Sequence, residues 1–116
     1  MVNEIQNRTK KLAIDIIKFC SILPQKQEYW IISKQLIRSA TSVGANYRSA
    51  CRARSKADFT NKLGVVEEEA DESALWMELL VESGLVPQRR LANLLDEAHP
   101  ITAILVASRK SLISRT

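Results

Sequence analysis

One stretch, Tyr29–Lys56 (YWIISKQLIRSATSVGANYRSACRARSK), limits what this chain can become. At 3.6 residues per turn, Tyr29, Ile32, Leu36, Val43, Tyr47 and Ala50 fall on one side of a helix. Lys34, Arg38, Thr41, Ala45, Arg48 and Arg52 fall on the other. The pattern predicts one long helix, about 40 Å at about 1.5 Å per residue, apolar on one face and basic on its back. Its middle, Ser39–Ala45, is nearly all small residues, which permits close approach of another backbone from the same chain or a second copy.

The rest of the sequence reads as helices that cover this one. A first helix is expected over about Glu4–Ile22, with Ile5, Leu12, Ile16, Phe19 and Leu23 inward and Asp15 placed to pair with Lys11 or Lys18. Pro24 ends it, and the short loop turns the chain back. A third helix begins near Ser55, a favourable N-cap with Asp58 three residues on. It carries Phe59, Leu63, Val66, Ala70, Ser73, Met77 and Leu80 inward and Glu68, Asp71, Glu72, Glu78 and Glu82 outward. Trp76 lies at the edge of that apolar stripe, where an indole can bury its body and keep its N–H in water. Gly84 suits the residue after the helix, and Pro87 follows. A fourth helix is expected over about Gln88–Ser114, one kinked helix at Pro100 being preferred to two because the apolar phase carries through. The chain of 116 residues, with only three glycines and three prolines, is therefore predicted to be one domain, residues 1–116. It is all-α, an up-down-up-down antiparallel four-helix bundle.

Charge is segregated along this plan. From Lys34 to Lys62 there are seven basic residues and one acid, and from Glu67 to Glu82 seven acids and no base. The net charge of +4 permits nucleic-acid binding without requiring it. Candidate phosphate contacts are Lys34, Arg38, Arg48, Arg52, Arg54, Lys56 and Lys62. The competing use of the same stripe is assembly against the acidic face of a neighbouring copy. Candidate interface residues between copies are Gly44, Asn46, Tyr47, Asp58 and Trp76. Gly44, in mid-helix, is read either as a close helix contact or as a tolerated defect of up to about 1 kcal/mol.

Catalytic and metal motifs are missing. The single histidine, His99, cannot supply the Glu-x-x-His pairs of a di-metal bundle, and Cys20 and Cys51 have no ligand spacing, so both are expected as small core residues. No nucleophile set and no phosphate-cradling glycine loop is present. The chain is expected to be no enzyme and to need no cofactor or metal. No apolar run reaches about 18 residues and no signal core is seen, so a cytoplasmic protein without a membrane partner is expected.

Three segments together resemble a known family. SKQLIRSATSVGAN (Ser33–Asn46), ARSKADFTNKL (Ala53–Leu63) and EEEADESALWMELL (Glu67–Leu80) are similar to the bacterial four-helix-bundle proteins encoded in intervening sequences of 23S ribosomal RNA genes. The accessory variability protein of diversity-generating retroelements is a related member. The resemblance implies a left-handed bundle and assembly into homopentameric rings; the retroelement members bind nucleic acid and their reverse transcriptase through basic surfaces, and no enzymatic activity is established for the family. The family's usual acid after the arginine is replaced here by Ser49, in Tyr47-Arg48-Ser49-Ala50. This makes the end of the second helix more basic and removes the acid of any ion pair between copies built there.

Overall fold

A computed structural model describes residues 2–114. It contains four helices: α1 (Val2–Ser21), α2 (Gln27–Ala50), α3 (Lys56–Glu82) and α4 (Gln88–Ser114). Each packs on its sequence neighbours, and α4 closes the ring on α1. The result is the antiparallel four-helix bundle expected from the apolar periodicity, elongated to 48 × 21 × 20 Å.

The expected single helix over Tyr29–Lys56 is shorter in the structure, since α2 stops at Ala50. Two local bonding patterns cause the break. Tight backbone bonds, Arg52 N–H to Ser49 O and Ala53 N–H to Ala50 O at 3.0 Å each, close the end of α2. Ser55 then turns extended (φ −156°, ψ 167°) and its side chain accepts the Asp58 N–H, starting α3. The Asp58 carboxylate in turn accepts the Arg54 N–H at 3.2 Å. Two free backbone donors are thus satisfied within one turn, which stabilises a helix start by about 1 kcal/mol. A continued α2 would lose this cap and carry Phe59 away from the core it packs against.

The interior follows the expected stripes. Leu12, Ile16, Leu36, Val43, Leu63, Val66, Met77, Leu80, Leu91, Ile101 and Leu105 are fully buried, each worth about 1.5–3 kcal/mol relative to exposure. Cys20 and Cys51 are half-buried at the edge of this core, and burial pushes the Cys20 thiol above its usual pKa. α4 passes through Pro100 as one helix with Ala98, Ile101 and Leu105 still inward. Gly84 takes φ 81° at the α3–α4 connection, the left-handed conformation for which glycine carries no Cβ penalty. That turn drops Val86 into the core at 2% exposure. The Tyr29 hydroxyl donates to the Leu85 carbonyl at 2.8 Å and ties the start of α2 to the same turn.

Small residues set the α2–α3 spacing. Ser73 donates to Ser39 at 2.8 Å, and Ser39 donates to the Leu36 carbonyl at 3.2 Å, so both buried hydroxyls are satisfied. This bond also fixes which levels of the two helices face each other.

Candidate nucleic-acid interface

The basic back of α2 divides into two regions with different surroundings. In mid-helix, Arg38 faces α3. Its guanidinium pairs with Glu69 at 3.3 Å and with Glu72, and its Nε donates to Gln35 at 3.0 Å. Glu72 also accepts the Trp76 indole N–H at 3.0 Å. The indole hydrogen expected to reach water is therefore held by a carboxylate. Periodicity places Arg38 outward but says nothing of the angle at which α3 arrives. Once α3 lies against α2, its Glu69–Glu72 edge neutralises the arginine.

At the α2–α3 turn the arrangement differs. Arg48, Arg52, Arg54 and Lys56 are all exposed and make no side-chain ion pair among the described residues. Among the described residues the carboxylate bonded to this segment is that of Asp58, which accepts the Arg54 backbone N–H. That carboxyl lies below the usual range because the Arg54 N–H donates to it and because Lys62 pairs with it at 3.2 Å. Lys62 is thus engaged within its own helix. Lys10 of α1 lines the same groove as Arg48 and adds a cation at this end. These four side chains, from the last turn of α2 to the first residue of α3, form a basic pole on the bundle.

Lys34 lies toward the other end, its ammonium 5.2 Å from the centroid of the Trp30 ring. Trp30 is 61% exposed. Sequence reasoning overlooked it, although a large aromatic four residues before Lys34, on the basic stripe, was a usable signal.

The residues expected between copies are placed as follows. Tyr47 is 4% exposed within the chain's own core, and burial pushes its phenol up to about 12. Asn46 donates to the Ser42 carbonyl and hydroxyl of its own helix at 2.9 and 2.7 Å. Gly44 faces Thr9 of α1, where an added Cβ would stand 3.9 Å from the Thr9 carbonyl group, an ordinary van der Waals contact. Asp58 caps α3, and Trp76 lies half-buried beside Glu72. The structure brings none of the five together as one patch.

Other charged pairs are structural. Lys11 bridges Asp15 at 2.7 Å and Glu97 at 3.2 Å, the first being the pairing expected from sequence. Arg109 of α4 pairs with Glu67 of α3 at 2.7 Å. Among the described residues no group of three or more His, Cys, Asp or Glu side chains is placed to hold a metal ion. No helix there is long and apolar enough to cross a membrane.

The family model described as 23S rRNA-intervening sequence protein matches residues 2–107. The chain belongs to this family. A crystal structure of a protein of unknown function from the S23 ribosomal protein family of Bacteroides thetaiotaomicron is similar over 94% of this chain and 97% of that one. The two share 32% identity with a TM-score of 0.86. No functionally curated sequence matches.

Proposed function

We propose that this member of the family is a non-enzymatic, homo-oligomeric bundle that binds RNA or DNA with little sequence preference through its basic pole. The observation that carries this reading is the group Arg48, Arg52, Arg54 and Lys56, exposed at one end and without a side-chain ion pair among the described residues. Cations of this kind contact phosphates, which position a nucleic acid without reading its bases. Each contact is weak, and repetition in an oligomer raises the apparent affinity through effective concentration. Arg38 and Lys62 already have carboxylates and add less, while Lys34 lies toward the far end of α2.

A salt titration of binding to mixed-sequence RNA and DNA tests the reading. Affinity should fall linearly on a log–log plot with a slope of about −0.9 per phosphate neutralised on duplex DNA. Binding that ignores salt would remove it. A second reading makes the molecule an interaction scaffold that docks a protein partner such as a reverse transcriptase. It is favoured by the large hydrophobic side chains that the single chain leaves exposed, Trp30, Ile14, Ile17 and Leu75 among them.

A further inference from the structure

A groove runs along the outside of the α1–α2 seam for most of its length. Its upper half is apolar, lined by Ile17, Cys20, Trp30 and Ile37, and encloses about 530 Å³. Its lower half is lined by small residues, Ala13, Thr41, Gly44 and Ala45. The charged side chains that line it are Lys34, Lys10 and Arg48, and no carboxylate is among them. Ile14 and Ile17, on the α1 side, are 42% and 43% exposed. A surface of this kind, apolar with a rim of one charge sign, marks a contact site.

The outer line of α3 has the opposite character. Val65, Leu75 and Leu79 are 44%, 47% and 39% exposed. Between and beside them stand Glu68, Glu78 and Glu82, while Glu72 is already paired with Arg38, and no cation occurs in the sequence from Leu63 to Glu82. This is an apolar strip with an acidic rim, on the same molecule as an apolar groove with a basic rim.

The internal register brings the two to the same height. The Ser73–Ser39 bond puts those residues level across the antiparallel α2–α3 pair. Counting outward at equal rise, Leu75 is level with Ile37 and Glu78 with Lys34. The contact of Gly44 with Thr9 likewise sets Ile17 near the height of Ile37. Two copies standing side by side, with no shift along the bundle axis, therefore meet leucine to isoleucine and glutamate to lysine.

We infer that copies of this chain associate by a heterologous contact in which the Leu75–Leu79 strip of one α3 seats in the α1–α2 groove of the next. The inference rests on the homo-oligomer part of the proposed function and names the surfaces involved. Because groove and strip are different patches, the contact repeats around a ring, or along a filament where the rotation does not close. Because the copies stand unshifted, every basic pole points to the same end, where a polyanion can reach several at once.

Solution mass tests this with three proteins. The unaltered chain is expected to assemble. Leu75→Lys with Leu79→Lys removes the strip, and Ile17→Lys removes the groove, all at exposed positions and with one charge sign, so that the two altered surfaces repel each other; each variant alone is expected to be monomeric. Mixed one to one, the two variants are expected to form a dimer and nothing larger, since one supplies an intact groove and the other an intact strip. Formation of that dimer also shows that both variants are folded. A monomeric unaltered chain overturns this interface together with the oligomer reading. An assembled unaltered chain whose variants assemble equally well overturns the interface alone. Variants of full helicity whose mixture stays monomeric overturn it too.

Discussion

Arg38 and Arg48 lie on the same stripe of the same helix, and both are exposed. Arg38 stands opposite Glu69 and Glu72. Arg48 stands near the end of α2, where the chain turns away, and it makes no ion pair among the described residues. A helical stripe states which residues share a direction, whereas the neighbouring helix decides which of them keep a free charge. The first arginine contributes to holding α2 against α3. The second is available to a polyanion.

The sharpest way to break this comparison is to reverse charge at the pole. Arg48→Glu with Arg52→Glu is expected to lower affinity for mixed RNA by about 100-fold at low salt and to shrink the salt slope by about two. The melting temperature should hardly move, because surface substitutions away from partners lie within about 0.5 kcal/mol. Unchanged binding by a folded, assembled double variant would exclude the pole as the contact surface. Arg38→Glu is the control: it should affect binding far less and stability more, as it sets a third acid beside Glu69 and Glu72.

Tyr47 and Arg48 extend the contrast to adjacent residues, one in the core and one in solvent. Burial raises the Tyr47 phenol to about 12, so the folded state disfavours its ionised form. The sign follows from a folded value above the ordinary 10: the stabilisation is complete below pH 10 and is lost as pH rises toward about 12. In a Tyr29→Phe background only this phenol remains to titrate by phenolate absorbance. Its midpoint should lie well above 10 and coincide with loss of helical circular dichroism. A midpoint near 10 with the fold intact would show that the end of α2 is open to solvent.

A smaller effect is expected from Arg38→Ala, about 0.5–1 kcal/mol of stability, because the pairs it breaks are partly exposed and screened. The loss should diminish in high salt, read as the denaturant midpoint at two ionic strengths. A loss that does not depend on salt would assign the contribution to packing of the arginine stem.

What could be read from the sequence divides along the same line. The four helices, their inward faces, the Ser55 cap and the Lys11–Asp15 pair are local or periodic, and each follows from spacing alone. The end of α2 at Ala50 was harder to see. The stripe continues in register through Arg52, and only the competing cap at Ser55 and Asp58 interrupts it. The neutralisation of Arg38 and the groove beside Trp30 depend on how two helices lie against each other, and no spacing within one helix encodes that. The basic pole was legible as a charge run, but its freedom from carboxylates was not.

Gly44 tests the seam on the far side of α2 from Glu69 and Glu72. In mid-helix a glycine costs up to about 1 kcal/mol against alanine, and sequence alone left close contact and simple tolerance equally open. The geometry favours tolerance, with contact present but not tight. A methyl there would meet the Thr9 carbonyl group at 3.9 Å and the Thr9 hydroxyl at 4.0 Å, within ordinary packing distance. Gly44→Ala should therefore stabilise the protomer by about 0.5–1 kcal/mol, measured by denaturant unfolding, since the helix gains propensity without displacing α1. The same methyl stands on the lower floor of the groove, away from Leu75 and Leu79 at the level of Ile37 and Lys34, so solution mass should not change. A destabilised protomer would mean that α1 and α2 approach more closely than this packing allows. A stabilised protomer that no longer assembles would mean that the lower groove, too, lies in tight contact with the neighbouring copy.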